Sequence, residues 1–325
     1  MLGTHLAYYL LKQGESITAL KRKTTDLTAM KRIFAHYENG DNSLFEKIDW
    51  VEGDILDFFL MDEIIAKQKR VYHTAAFVSF HKKDHDKITD INIQGTQNIV
   101  SSCLKYGARL VYSSSIAALG RNDGGGATTE KNYRDSTFKS SVYSESKFLA
   151  EQEVWRGIAE GLDAVMVNPS VIIGAGDWNK SSAQLIKTVA NGLKFYTNGS
   201  NGYVDVRDVA EIMAVLMNSE ISSERFILSS ETVSYKYLFG TIAKELGVKP
   251  PNILANKLLS EISWRILGVW SAISNSEPII TKETAKSANS HYDYSSKKII
   301  DALNYNFISF DDSIKHTVEL YKNAK

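Results

Sequence analysis

Four tyrosine–lysine pairs in this sequence have a spacing that could support proton transfer. The pairs are Tyr8 and Lys12, Tyr143 and Lys147, Tyr294 and Lys298, and Tyr321 and Lys325. On a helix, residues four apart share a face, so each lysine would lie beside its tyrosine. A tyrosine has an ordinary pKa of about 10, and a neighbouring ammonium group lowers that pKa by favouring the phenolate. Such a pair can exchange a proton with a substrate oxygen, but the spacing alone does not select one of the four.

A cluster of serines in front of Tyr143 distinguishes this pair from the others. Residues 109–112 are predicted as a strand, and they run directly into three consecutive serines that end at Ser115. A serine at this place could hydrogen-bond a carbonyl oxygen that gains negative charge as hydride arrives. The alternative is that the serines simply begin a loop. Because Tyr143 and Lys147 follow shortly after, we predict that Ser115, Tyr143 and Lys147 form one catalytic group.

The segments that must hold these side chains alternate between strand and helix. Strands are predicted at residues 16–20, 50–54, 70–74, 109–112 and 163–167, and helices at residues 3–12, 27–37, 89–106 and 141–159. This alternation predicts an α/β fold, a doubly wound parallel sheet with helices on both faces. A smaller, mostly helical substrate domain is expected beside it. We assign residues 1–170 and 202–230 to the sheet domain, and residues 171–201 and 231–325 to the smaller domain.

Composition excludes several classes of partner. The 325 residues carry 38 basic and 38 acidic side chains, which argues against a nucleic-acid partner. The sequence has no run of about 18 apolar residues and no signal peptide, so we expect no stable membrane insertion. The single Cys103 fits a reducing cytoplasm. Charged residues between His81 and His85 argue against a metal site. We expect a cytoplasmic protein with a small-molecule substrate, and we allow for a homodimer.

Several motifs occur in the order that is typical of one dehydrogenase family. They are the serine strand, the Tyr143 and Lys147 spacing, and segments at residues 53–55, 72–76, 92–98, 168–174 and 204–210. Together they resemble the extended short-chain dehydrogenases/reductases of the NAD-dependent epimerase/dehydratase type, over nearly the whole chain. The resemblance implies a Rossmann-type sheet, with residues 1–170 and 202–230 as the dinucleotide-binding domain and residues 171–201 and 231–325 as the substrate-binding domain. The resemblance implies a catalytic group of Ser115, Tyr143 and Lys147, with Asn92 helping to hold the active-site geometry. It implies cofactor contacts from Gly3, Asp54, Ile55, Ala75, Ala76, Tyr143, Lys147, Pro169 and Ser170.

Basic residues after the strand predicted at residues 16–20, which corresponds to the second strand of the family, bear on the choice of cofactor. Lys21 and Arg22 stand where an acidic residue would bind the ribose 2′-hydroxyl of NAD. Basic side chains suit the 2′-phosphate of NADP instead. We therefore predict NADP(H), with NAD(H) as the alternative and with ordinary solvated side chains as the other interpretation of these residues.

The start of the sequence departs from the family pattern. The family opens with a strand and a Gly-x-x-Gly-x-x-Gly turn that places the cofactor's pyrophosphate on a helix N-terminus. Here Gly3 matches the last glycine of that turn, and the first strand and the first two glycines have no counterpart. We expect that a further segment of about a dozen residues precedes Met1 in the natural protein.

Three branches of the family compete as models for the reaction. Dehydratases carry acidic residues after the serine strand, where this chain has residues 116–118, which are apolar. Epimerases keep a glycine-rich turn where residues 226–231 stand; these residues and residues 278–283 look more like dihydroflavonol reductases and 3β-hydroxysteroid dehydrogenases. We predict hydride transfer between nicotinamide and a carbonyl/alcohol pair, with Tyr143 as general acid/base. A nucleotide-sugar epimerase and a non-catalytic NADP(H) sensor or scaffold are the alternatives.

Overall fold

The computed structural model of the chain describes residues 1–79, 84–120, 122, 125–134, 141–255 and 288–324. Its strands are β1 (Thr18–Lys21), β2 (Asp49–Glu52), β3 (Arg70–His73), β4 (Arg109–Ser113), β5 (Ala164–Pro169), β6 (Val171–Ile173), β7 (Phe195–Tyr196), β8 (Ser200–Asp205), β9 (Glu224–Leu228), β10 (Glu231–Ser234) and β11 (Ile253–Leu254). Its helices are α1 (Leu2–Lys12), α2 (Thr28–Tyr37), α3 (Phe58–Ile65), α4 (His85–Thr89), α5 (Gly95–Tyr106), α6 (Val142–Ala159), α7 (Ala183–Ala190), α8 (Val206–Met217), α9 (Tyr235–Leu246), α10 (Lys297–Leu303) and α11 (Phe310–Asn323). His81, residues 278–283 and Lys325 lie outside the described residues, so the predictions that involve them stay predictions.

The main sheet has four parallel strands in the order β3, β4, β5 and β9. Its central strands bury both faces, as the unbroken apolar run in β4 leads one to expect. Val111 of β4 and Val165 of β5 pack against α1 and α8, whereas Leu110 and Met166 point to the opposite side, toward α3, α5 and α6. Full burial of each such side chain stabilises the fold by roughly 1.5–3 kcal/mol. The predicted doubly wound parallel sheet with helices on both faces is confirmed.

Strands β1 and β2 form a separate two-stranded parallel sheet. An apolar cluster of its own supports this sheet, with Phe34 and Phe45 at its centre and Leu11 of α1 beside them. An ion pair between Arg70 at the start of β3 and Glu15 just before β1 links the two sheets. Within the described ranges, no strand pairs with the second edge of β1 or of β3. The predicted segment before Met1 stays a prediction.

A second group of elements follows β5. Strand β8 lies between β6, which is parallel to it, and β10, which is antiparallel. Helices α7, α9 and α11 cover this sheet through a cluster that includes Ile186, Leu238 and Ile314. Strands β7 and β11 form a short parallel pair. In the part of the chain that the structure describes, no helix is long and apolar enough to cross a membrane. The predicted domain division stays a prediction.

The helix predicted at residues 89–106 is present, but it begins earlier, at His85, and contains a π-helical turn. Helix α4 leads into a π-helical turn, Asp90–Gln94, and α5 begins only at Gly95. A π turn inserts an extra residue into the helix, and such turns are often found at functional sites. A Cβ atom on Gly95 would lie 2.4 Å from Cδ1 of Ile55, so the close approach of α5 to the turn after β2 requires glycine.

Candidate active site

The predicted site residues that follow strands lie at the carboxyl ends of those strands, where doubly wound sheets bind ligands. Lys21 ends β1, Asp54 and Ile55 follow β2, Ala75 and Ala76 follow β3, Ser115 follows β4, and Pro169 ends β5 with Ser170 next to it. Gly3 lies in the first turn of α1, where a Cβ atom would be 3.1 Å from Oγ1 of Thr74, just after β3. The structure therefore brings the first turn of α1 next to the carboxyl end of β3.

Ser115 and Tyr143 meet because two local caps fix the segments that carry them. The Ser115 hydroxyl accepts a hydrogen bond from the backbone N–H of Ala117 at 3.1 Å and begins a short 3₁₀ helix. Ser141 accepts a hydrogen bond from the backbone N–H of Ser144 at 3.1 Å and so sets the start of α6. Tyr143 in the first turn of α6 is consequently within hydrogen-bonding reach of the Ser115 side chain.

Lys147 lies one turn after Tyr143 and is only 2% exposed. Its Nζ donates hydrogen bonds to the Tyr112 hydroxyl and to the Ser113 carbonyl oxygen, both at 2.9 Å. Burial lowers the pKa of Lys147 to about 7, and the Glu151 carboxylate opposes this shift. Near neutral pH the side chain therefore gains and loses its charge readily, as a group in a proton-transfer site should.

The pKa of Tyr143 differs from our expectation. We expected the Lys147 ammonium to lower this pKa, but burial raises it, and a hydrogen bond with Ser115 lowers it only in part. Desolvation has the larger effect because removing a phenolate from water costs more free energy than the nearby polar groups contribute. Tyr143 consequently keeps its proton at neutral pH and is available as a proton donor.

Asn92 is buried in the π-helical turn, and its side-chain amide is hydrogen-bonded to other groups of the protein. Its Oδ1 accepts a hydrogen bond from the backbone N–H of Phe77 at 2.7 Å, and its Nδ2 donates to the Phe77 carbonyl oxygen at 3.0 Å. Nδ2 also donates to the hydroxyl of Ser146, the residue before Lys147, at 2.9 Å. Asn92 thus ties the segment after β3 to α6 and holds the geometry around Lys147.

A buried ion pair behind Lys147 was not predicted. Glu151, 1% exposed, lies one further turn along α6, and its Oε1 is 2.7 Å from Nη1 of Arg225 on β9. Its Oε2 accepts hydrogen bonds from Ser114 at 2.6 Å and from Asn168 at 2.7 Å. The four-residue step from Lys147 to Glu151 repeats the step from Tyr143 and could have indicated a carboxylate on the same face.

The residues predicted to hold the adenosine half of a dinucleotide surround the ends of β1 and β2. Nζ of Lys21 is 3.6 Å from a carboxylate oxygen of Glu52, so part of its charge is already compensated. Arg22 is exposed, and it forms no ion pair within the described ranges. Asp54 accepts a hydrogen bond from the backbone N–H of Leu56 at 3.1 Å, which fixes the turn after β2. Of the two predicted basic residues, Arg22 is therefore the one whose charge is not compensated by an ion pair within the described ranges.

The cofactor contacts predicted at the ends of β5 and β3 offer buried polar groups and open space. Oγ of Ser170 and Oδ1 of Asn168 are buried, and neither has a hydrogen-bond partner among the residues described. Buried polar atoms normally have partners, so a ligand that supplies them is expected here. Ala75 and Ala76 are exposed and small, which leaves room at the end of β3. These residues fit a nicotinamide dinucleotide, whose amide could pair with the buried oxygens.

Comparisons with known proteins identify the family of the chain. The model of the NAD dependent epimerase/dehydratase family matches residues 1–228. The chain is 28% identical to a protein named "Putative dihydroflavonol 4-reductase" from Synechocystis sp., over 99% of this chain and 92% of that protein. It is 28% identical to "Sterol demethylase protein B" from Methylococcus capsulatus, over 71% of this chain and 67% of that protein.

Solved structures show the same fold. The UDP-glucose 4-epimerase of Thermotoga maritima, solved with UDP-glucose, superimposes with a TM-score of 0.78 and covers 100% of this chain and 96% of its own. Sequence identity to that protein is 17%, so this likeness concerns the fold alone. The predicted family and the predicted Rossmann-type fold are confirmed.

Proposed function

Since the chain belongs to the NAD dependent epimerase/dehydratase family, among the extended short-chain dehydrogenases/reductases, we propose that this NAD(P)-dependent oxidoreductase reduces the carbonyl group of a small substrate. One observation carries the proposal. Tyr143 is hydrogen-bonded to Ser115, and burial raises its pKa, so its hydroxyl holds a proton beside the carboxyl end of β4. A protonated tyrosine can donate to a carbonyl oxygen, which is what reduction requires.

The proposed roles follow from the contacts. Tyr143 donates its proton to the substrate oxygen, while Ser115 hydrogen-bonds that oxygen as negative charge develops. Lys147 supplies positive charge that favours proton release from Tyr143 in the transition state and, with Pro169 and Ser170, would help to hold the nicotinamide nucleotide. The bound dinucleotide supplies the hydride. Asn92 keeps α6 in register through Ser146.

A substrate panel tests the proposed function. We expect consumption of NADPH with at least one ketone or aldehyde, because Tyr143 holds a proton that such a substrate needs. The measurement is NADPH absorbance against ketones, aldehydes and nucleotide sugars. Interconversion of a nucleotide sugar without net NADPH consumption would identify an epimerase. Cofactor binding without turnover of any substrate would identify a sensor or scaffold, and either result would overturn the proposal.

The proposed cofactor is NADP(H), and Arg22 is the residue on which this choice depends. We expect Arg22→Glu to weaken NADPH binding by about 10–100-fold and NADH binding much less, because a charge-assisted contact with the 2′-phosphate is lost. Fluorescence titration gives both dissociation constants. Lys67→Glu, an exposed basic residue paired with Glu63 on α3, is the matched control and should change neither constant. Tighter binding of NADH than of NADPH by the wild-type protein would refute the preference.

The remaining parts of the proposal concern organisation and location. We propose that residues 1–170 and 202–230 bind the dinucleotide and that residues 171–201 and 231–325 bind the substrate. The buried Cys103, whose pKa burial raises to about 12, has no role in the chemistry. A cytoplasmic location and a homodimer complete the proposal.

A further inference from the structure

Beneath Lys147, three buried polar side chains lie next to one another: those of His73, Thr96 and Tyr112. The Thr96 hydroxyl donates to the Asn92 carbonyl oxygen at 2.6 Å, and a carbonyl can only accept. Since a hydroxyl has one hydrogen, Thr96 must accept from His73, whose Nε2 is 2.9 Å away. An ammonium group can only donate, so the Tyr112 oxygen accepts from Nζ of Lys147.

Two acceptors on β4 determine how Lys147 is held. An ammonium group has three hydrogens, and two of them go to the Tyr112 hydroxyl and the Ser113 carbonyl oxygen, each at 2.9 Å. Because both acceptors belong to β4, they draw the ammonium toward the sheet. Tyr112 is 1% exposed, and its hydroxyl has little freedom to turn away from this arrangement.

We propose that Tyr112 is a positioning residue for Lys147: its hydroxyl accepts a hydrogen bond from the ammonium group, favours the charged form and fixes its direction. The role in turnover rests on the proposed function, whereas the contact itself does not. Hydrogen bonding to the charged form of a buried group favours that form. Without the Tyr112 hydroxyl, one hydrogen of a buried ammonium would have no acceptor, so Lys147 would give up its proton at lower pH.

The effect of Tyr112 on Lys147 can be separated from the effects of the other titratable groups around it. On α6 they are Tyr143 and Glu151, and Glu151 is paired with Arg225 of β9. On β3, burial lowers the pKa of His73 to about 3, so this side chain is neutral in the whole working range. None of these groups is altered when Tyr112 becomes Phe. Nζ of Lys147 lies 4.7 Å from the centre of the Tyr112 ring, and Phe keeps that ring.

Tyr112→Phe tests the proposal through the pH dependence of catalysis. We expect the alkaline loss of kcat/KM to move down by about one pH unit, since a hydrogen bond to a charged group is worth roughly one pKa unit or more. At pH 7 this corresponds to a roughly fivefold lower rate, as the ammonium fraction falls from about one half to about one tenth. Tyr203→Phe removes a buried tyrosine hydroxyl from β8 and should leave the profile unchanged.

A second measurement needs no turnover. The pKa of Lys147 is about 7 in the folded protein and about 10.5 in an unfolded chain, so the folded state binds fewer protons between these values and stability rises with pH across them. Tyr112→Phe lowers the pKa of Lys147 in the folded protein, so this pH range begins at a lower pH. At about pH 5.5 the variant should therefore lose about 1.2 kcal/mol more stability than it loses at about pH 9. Denaturant unfolding at both pH values measures the difference.

The controls separate this proposal from the proposed function. In a Lys147→Met background, Tyr112→Phe should cost the same at both pH values, because the titrating group is gone. A pH-independent cost in the wild-type background, equal to that of Tyr203→Phe, would overturn the role of Tyr112. If the wild-type protein reduces no carbonyl while the pH-dependent cost is present, the contact stands and the proposed function fails.

Discussion

Tyr143→Phe is expected to lower kcat for carbonyl reduction by about 10²–10⁴-fold while leaving the dissociation constant for NADPH little changed. The change removes one oxygen atom and keeps the ring, so packing at the start of α6 is preserved. The lost hydroxyl is the group that holds the transferable proton beside Ser115. Steady-state rates with the best substrate of the panel, together with fluorescence titration of NADPH, measure the two quantities.

The sequence itself supplies a matched control for this variant. Tyr8 has the same four-residue spacing to Lys12, but its hydroxyl donates to Oε1 of Glu38 at 2.6 Å, away from the carboxyl end of β4. Tyr8→Phe should leave kcat close to that of the wild-type protein. Equal rates for Tyr143→Phe and Tyr8→Phe would show that Tyr143 is not the proton donor, whatever the protein binds.

Arg225→Met is expected to have the largest effect on stability, about 3–5 kcal/mol. The substitution leaves the Glu151 carboxylate buried without its cationic partner, and an uncompensated charge in the interior is strongly destabilising. Combining it with Glu151→Gln removes that charge and keeps an oxygen that can accept from Ser114 and Asn168. The double variant should therefore be more stable than Arg225→Met alone. Denaturant unfolding at neutral pH measures the free energies.

An exposed ion pair provides the comparison for this loss. Arg70 pairs with Glu15 on the surface, where such pairs contribute about 0–1 kcal/mol. Arg70→Met should therefore cost far less than Arg225→Met. If the two variants are equally stable, the ion pair between Glu151 and Arg225 contributes no more than a surface contact does. In that case, other groups compensate for the free-energy cost of burying this ion pair.

The fold was predictable because its signals are local. Strands β1 to β5 and helices α1, α2 and α6 each carry an apolar periodicity or a cap that one segment reveals by itself, and alternation then implies the parallel sheet. Tyr143 could be distinguished from the other three tyrosines because it follows the serine strand. The sequence offered no local sign of the π-helical turn, because a single inserted residue leaves the apolar spacing almost unchanged.

The less predictable parts of the site depend on distant partners and on burial. Arg225 stands in a strand 74 residues after Glu151, and no spacing rule connects the two. The expected lowering of the Tyr143 pKa differs from the structure, where burial raises it, because the sequence shows a neighbouring lysine but not the burial of the hydroxyl. Tyr112 was missed for a related reason: in the sequence it is one more apolar position in a buried strand, and only the structure shows its hydroxyl beside Lys147.

The positions of the proposed site residues at the ends of different strands have a consequence for directed evolution. Arg22 and Asp54, proposed to recognise the adenosine half of the cofactor, follow β1 and β2, which pack on an apolar cluster around Phe34. Ser115 follows β4, and Lys147 lies on α6. Because substitutions that share no partners usually have additive effects, changes of coenzyme preference and changes of catalytic rate can be selected in separate libraries and then combined with little epistasis.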